Sequence, residues 1–188
     1  INDQSYFFNY GSRSRTNDEA VDEHSIYQIA SVGKPLVGII CQEMILSGQL
    51  NPEQPITDFL SGQLRAKRRQ LLSKVTIRHL LQHKSGLPQD ARAAYRRKDG
   101  TAYAYDYQEE DFYSDLNSIK IRPAGKYQYS NFGYALLSHI LTKVSGMSYQ
   151  ALLDKYIGQV VGWESTGTTL SPDDEPRLVT PYRKDKRN

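Results

Sequence analysis

Gln28-Ile29-Ala30-Ser31-Val32-Gly33-Lys34-Pro35 is the stretch on which the fold turns. A short β-prone run over 26–30 leads into it. A long apolar segment leaves it: Leu36, Val37, Gly38, Ile39, Ile40, Cys41, then Met44, Ile45 and Leu46, interrupted only by Gln42 and Glu43. A segment apolar nearly all round reads as a helix buried at the centre of a domain. Pro35 is tolerated in a first turn, and Gly48 fits the stop. Ser31 then stands at the mouth of the helix, with Lys34 three residues on and on the same face. Exposed N–H groups at a helix start favour negative charge, and an ammonium nearby adds to that. Burial lowers the pKa of a lysine, so that it holds or passes a proton near neutrality. These conditions activate a serine nucleophile. Ser-x-x-Lys alone is a weak signal, expected roughly once by chance in a chain this long. The alternative is a serine that caps a helix and a lysine that reaches solvent.

Upstream, residues 6–11 read as a short strand ended by glycine, and 13–23 as a loop or hairpin tip. Downstream, Asn51-Pro52 and Gln54-Pro55 mark turns, and 56–60 is a short apolar patch. The basic run 65–69 reads as a solvated helix face; no aromatics interleave with it, as a nucleic-acid groove would want. Thr76 caps a helix carrying Ile77, Leu80 and Leu81, which ends at His83-Lys84-Ser85-Gly86-Leu87-Pro88. His79 and His83 are spaced i, i+4, but no further His or Cys lies near and no Glu lies between them, so no metal is expected there. Residues 91–107 are polar and tyrosine-rich and give no clear element. A helix is expected over 109–119 and a turn at Pro123-Ala124-Gly125-Lys126. An amphipathic helix follows, with Ala135, Leu136, Leu137, Ile140, Leu141 and Val144, stopped by Gly146. Ser148 caps a last helix with Leu152, Leu153, Tyr156 and Ile157, stopped by Gly158. From Trp163 the chain is turn-rich and charged, and 184–187 form a basic tail.

A length of 188 residues suits one domain, and 38% hydrophobic residues are adequate for a core. A net charge of +3 does not by itself call for nucleic acid. The single Cys41 lies in the apolar helix and reads as a buried free thiol. No signal peptide is read within this stretch, which says little about location in a chain that opens without Met, and no apolar run is long enough to span a membrane. The chain opens at Ile1, almost inside a strand, and is expected to be a fragment or a processed product.

Tyr129-Ser130-Asn131 is the second constellation. A tyrosine beside an ammonium is held partly as phenolate and serves as a general base. An asparagine offers a donor and an acceptor, and so orients a lysine and a substrate amide together. The alternative is an Asn at a helix start beside a core tyrosine. Together with the first stretch, this sequence resembles the serine β-lactamase and penicillin-binding-protein superfamily, and most closely its class C β-lactamase, D-alanyl-D-alanine carboxypeptidase and esterase branch. Four stretches carry the likeness in order. Residues 29–35 resemble the nucleophile motif. Residues 76–88 are similar to the segment that ends in Ser-Gly-Leu-Pro. Pro123 to Lys126 with Tyr129-Ser130-Asn131 look like the second motif. Gly133-Tyr134-Ala135-Leu136-Leu137, running on to Val144-Ser145-Gly146, look like the helix after it.

The resemblance implies an α+β fold, the α/β sandwich of the β-lactamase/transpeptidase type, with the helical part present and the antiparallel sheet incomplete. It places early sheet strands at 1–30, the nucleophile helix at 31–48, a helical region at 49–162 and the start of the return to the sheet at 163–188. It implies Ser31 as the acylated nucleophile, Lys34 as its proton partner, Tyr129 as the base that also protonates the leaving group, and Asn131 as a ligand of substrate and of Lys34. The Ser31 N–H would form half of an oxyanion hole. His83 and Ser85 match a segment read as structural support. The implied reaction is acyl transfer through a serine ester, on a β-lactam, D-alanyl peptide, D-amino-acid amide or small ester. It needs no cofactor and no metal, and the implied location is periplasmic or extracellular.

One feature of the family departs: no Lys-Thr-Gly or His-x-Gly motif follows Asn131. The chain is therefore expected to be a truncated piece of a longer hydrolase, with an open sheet edge prone to self-association. A catalytically inactive scaffold or binding protein derived from the family is the rival reading. A P-loop is set aside, because Gln28 and Pro35 stand where it needs Gly and Ser or Thr. No Gly-x-Ser-x-Gly elbow is present either.

Overall fold

Two backbone units make up the chain: Ile1–Gly33 with Gly167–Asn188, and Lys34–Thr166. The computed structural model describes residues 6–16, 18–60, 63–90, 109–163 and 166–182. The tyrosine-rich stretch 91–107 and the basic tail 184–187 lie outside the described residues.

In the first unit, Ser12 and Ala20 form an antiparallel bridge. Arg13 N–H donates to the Glu19 carbonyl at 2.8 Å and Val21 N–H to the Gly11 carbonyl at 3.2 Å, so the residues around 11–13 and 19–21 pair as the two arms of a hairpin. Ile26 meets Leu178 in a parallel bridge, held by Ile26 N–H to the Arg177 carbonyl and Val179 N–H to the Ile26 carbonyl, both 2.8 Å. The expected strand over 6–11 forms no ladder among the described residues, and Tyr6, Phe7, Phe8 and Tyr10 are exposed. A strand needs a partner for its backbone and for one face, and the pairing seen in this unit starts only at Gly11. Among the described residues the sheet is thus present as bridges rather than ladders. After Ile29 the chain bends at Ala30, whose φ is +45°, into a 3₁₀ turn over Ala30–Gly33. Val32 N–H closes that turn on the Ile29 carbonyl at 3.0 Å.

The second unit is helical. Helix α1 spans Lys34–Leu46, α2 Ala66–Leu72, α3 Ile77–Leu81, α4 Glu109–Ser118, α5 Asn131–Ser145, α6 Tyr149–Leu153 and α7 Gln159–Val161. The sequence pattern makes α1 buried all round; the structure buries one stripe, Val37, Ile40, Cys41 and Met44. Ile39 and Leu46 are 45% and 71% exposed. The buried spacing i, i+3, i+4, i+7 is the face that α5, α6 and the turn after α6 can cover. Burial pushes the Cys41 thiol up to about 12, so it stays a neutral core group.

Helix α5 is the axis of this unit. Its apolar face, Phe132, Leu136, Leu137, Ile140 and Leu141, joins one core with Ile40 and Met44 of α1 and Leu80 of α3. Ser130 caps its start by accepting Gly133 N–H at 2.8 Å, and Gly146 ends it in the left-handed region at φ +68°. Ser148 caps α6. Gly158 does not stop the last helix. The chain widens there into a π turn over Asp154–Gly158, continues through α7 and ends at Gly162, φ +67°. Gly158 is instead the seat of Trp163, whose Nε1 would lie 2.2 Å from a Cβ at that position.

The basic run also differs from a purely solvated face. Arg69 donates to the Thr57 and Leu60 carbonyls at 3.1 and 3.2 Å, and Arg68 Nε to the Asn117 carbonyl at 3.1 Å. These guanidinium groups add hydrogen bonds to carbonyls at helix and turn ends, where backbone partners are scarce.

Candidate active site

A backbone template positions the site in the second unit. Thr76 caps α3 with a capping box closed by His79, whose Nδ1 faces the Thr76 N–H at 3.2 Å. The chain then reverses at His83, φ +55°, and at Gly86, φ +73°. Along 83–89 the carbonyls bind the N–H groups of the second motif and of the segment leading into it. Gly86 takes Arg122 at 2.9 Å, Lys84 takes Gly125 at 2.8 Å, His83 takes Gln128 at 2.7 Å, and Gln89 takes Asn131 and Phe132 at 2.7 and 3.1 Å. Ser130 N–H donates to His83 Nδ1 at 3.1 Å, and Ser130 Oγ–H to the Pro88 carbonyl at 2.6 Å. The buried serine of Tyr129-Ser130-Asn131 is therefore a structural pin. It fixes its two neighbours at the start of α5.

Lys34, Tyr129 and Asn131 come together there. The half-buried Lys34 ammonium donates to Asn131 Oδ1 at 2.7 Å. It lies 4.9 Å from the Tyr129 ring centroid and 5.9 Å from that of Tyr134, a double cation–π environment. Asn131 Nδ2 donates to Asp90 Oδ1 at 2.8 Å. Tyr134 OH is tied to the Leu81 carbonyl at 3.0 Å, and burial raises its pKa, so it remains a neutral phenol. Ser31 belongs to the first unit, exposed on the turn Ala30–Gly33 and three residues ahead of Lys34 in the sequence. Two participants escaped the sequence reading. Asp90 carries no motif of its own, and Gly86 showed only as a helix stop.

His83 lies between two rings, 4.5 Å from Tyr129 and 4.7 Å from Tyr134, each tilted by about a third of a right angle. Burial first, and the Lys34 ammonium second, hold its pKa below 6.5. The neutral ring is the form the fold uses, since its Nδ1 accepts the Ser130 N–H. The unfolded chain takes up this proton near pH 6.5, while the folded chain takes it up only at lower pH. His83 therefore costs no stability above pH 6.5, and stability falls as the pH drops from there through its folded pKa. His139, lowered by burial, adds in the same direction. We expect the melting temperature of His83→Gln to fall less between pH 7.5 and 5.5 than that of the unsubstituted protein. Equal falls, measured by scanning calorimetry at both pH values, would refute this.

Among the described residues, no three His, Cys, Asp or Glu side chains are grouped to hold a metal. The Nδ1 atoms of His79 and His83 are both committed to backbone N–H groups.

The sequence model of the beta-lactamase family matches residues 1–188. The chain belongs to that family. A penicillin-binding protein of Bacillus subtilis (strain 168) is 31% identical over 174 residues, covering 89% of this beta-lactamase-family chain and 37% of the relative. Esterase EstB of Burkholderia gladioli is 26% identical, covering 92% of this chain and 45% of the relative. A beta-lactamase/D-alanine carboxypeptidase of Yersinia pestis, solved with citrate, superimposes with a TM-score of 0.77 at 23% identity, over 91% of this chain and 48% of that one. The fold is thus the α+β fold of β-lactamases and transpeptidases. The chain spans less than half the length of each of these three relatives. Among the described residues, no helix is long and apolar enough to cross a membrane.

Proposed function

We propose that the protein is a serine hydrolase that cleaves an amide or ester through an acyl-enzyme. The observation that carries this reading is the Lys34–Asn131 hydrogen bond beneath the Tyr129 ring, a cation and a phenol fixed together at the start of a capped helix. A cation placed beside a phenol in this way suits proton transfer. In the reaction, Ser31 Oγ attacks the substrate carbonyl and its proton passes to Tyr129, with Lys34 supplying the compensating positive charge. The carbonyl carbon bonds to Oγ, the bond to the leaving nitrogen or oxygen breaks, and Tyr129 returns the proton to that group. Water then cleaves the serine ester. Asn131 holds Lys34 through Oδ1 and offers its Nδ2 face to an amide carbonyl of the substrate.

The candidate substrates are β-lactams, D-alanyl peptides, D-amino-acid amides and small esters. The names of the relatives support this range: penicillin binding in one, ester hydrolysis in another, carboxypeptidase in a third. A periplasmic or extracellular location goes with such substrates. The test is the intact mass of the native-length protein before and after exposure to a penicillin and to a fluorophosphonate, with peptide mapping. We expect one adduct, on the peptide that holds Ser31. No adduct from either reagent would overturn the reading and leave an inactive, family-derived binding protein.

A further inference from the structure

We propose that Asp90 is a positioning residue of this site: its carboxylate fixes the Asn131 amide, and the amide in turn fixes the Lys34 ammonium. The proposal rests on the serine-hydrolase reading above and names a group that no motif marks.

A primary amide has two faces that differ only by exchange of O and NH2, and a half-turn interconverts them. In the observed orientation Oδ1 accepts from Lys34 Nζ at 2.7 Å and Nδ2 donates to Asp90 Oδ1 at 2.8 Å. A half-turn would set the NH2 group against the ammonium and the carbonyl oxygen against the carboxylate. Both contacts would then be repulsive. A cation on one side and an anion on the other therefore select the same orientation, and both bonds are charge-assisted. Lys34 alone would leave the nitrogen side of the amide without a matching acceptor.

The backbone places Asp90 for this task. Ser130 Oγ–H binds the Pro88 carbonyl, and the Asn131 and Phe132 N–H groups bind the Gln89 carbonyl. Three hydrogen bonds thus fasten 88–89 to the first residues of α5 and bring the half-buried Asp90 beside Asn131, 41 residues away in sequence. A carboxylate at this end of a 15-residue helix is favourably placed. There is a chemical consequence. Nδ2 carries two hydrogens, and Asp90 takes one. The direction of the other, which is to meet a substrate carbonyl, is then set by Asp90.

The test compares Asp90→Ala, Asp90→Asn, Asn131→Ala and the double variant Asp90→Ala/Asn131→Ala in the native-length protein, with melting temperatures for each. The rate of fluorophosphonate labelling at Ser31 is expected to fall about ten- to a hundredfold in Asp90→Ala, as for a misplaced catalytic group. Asp90→Asn keeps an acceptor oxygen in place and should recover most of that loss. The double variant should label no more slowly than Asn131→Ala, because Asp90 acts only through Asn131. Independently of turnover, the two Asn131 side-chain amide protons should give separate, slowly exchanging NMR signals that broaden in Asp90→Ala. Additive losses in the double variant, or Asn131 signals unchanged by Asp90→Ala, would overturn the proposal. If the unsubstituted protein does not label, the hydrolase reading fails, and the amide signals alone decide whether Asp90 positions Asn131.

Discussion

Ser31→Ala is expected to remove the covalent adduct completely and to lower ester hydrolysis by about a thousandfold or more, the scale on which loss of a covalent nucleophile acts. The same substitution should leave folding almost untouched. Ser31 is exposed on a 3₁₀ turn that the Val32 N–H closes on the Ile29 carbonyl. Exposed substitutions away from caps and the core fall within about 0.5 kcal/mol. The backbone bends next to Ser31 at Ala30, φ +45°. Held in the left-handed region by a residue that has a Cβ, that bend is of the kind found where a chain must present a functional group. Activity and melting temperature should therefore separate cleanly. Residual hydrolysis at more than a tenth of the original rate, in protein shown by mass to be fully substituted, would sink the assignment of Ser31. A large loss of melting temperature would show instead that the turn depends on the hydroxyl.

The sequence disclosed this site unevenly, for identifiable reasons. Ser31, Lys34, Tyr129 and Asn131 stood out as candidates because each belongs to a short motif; the structure brings Lys34, Tyr129 and Asn131 together, and the order of the motifs pointed to the family that the whole chain matches. The ends of α5 were legible because Ser130 and Gly146 act on their own helix, within a few residues. Asp90 was not legible. Its bond to Asn131 exists only because 88–89 pairs with 130–132, a register that no local pattern encodes. The same holds for Arg69, which looked like one more surface charge and proves to bind two carbonyls 9 and 12 residues away. Residues 6–11 have strand-like composition but form no ladder among the described residues, since β-propensity describes a half-buried surface that a partner must complete. Gly158 was misread because a glycine near a helix end signals a stop equally well whether it caps the helix or seats a ring, here that of Trp163.

Gly86→Ala should act in the opposite way to Ser31→Ala, destroying the fold that holds Tyr129 and Asn131 while leaving every proposed catalytic side chain present. Gly86 has φ +73°, which alone costs an alanine about 1–2 kcal/mol. The larger effect is contact. A Cβ at Gly86 would lie 2.0 Å from the Arg122 carbonyl oxygen and 2.8 Å from its carbon. These are backbone atoms, so no rotamer change relieves the overlap, and the Arg122 N–H is also bonded to the Gly86 carbonyl at 2.9 Å. Separating the strands of chain there would strain the neighbouring bonds from Gly125 to Lys84, Gln128 to His83 and Asn131 to Gln89. The expected loss exceeds about 4 kcal/mol, in the range that accompanies forced overpacking combined with broken buried bonds. Gly146→Ala is the internal control. Gly146 has nearly the same φ, +68°, but nothing lies within 4 Å of a Cβ built there. That variant should lose only the conformational part, about 1–2 kcal/mol. Urea denaturation of both variants measures the difference. If Gly86→Ala unfolds at the same midpoint as Gly146→Ala, the close approach of Gly86 to Arg122 does not hold the second motif in place, and the template role given to 83–89 is wrong.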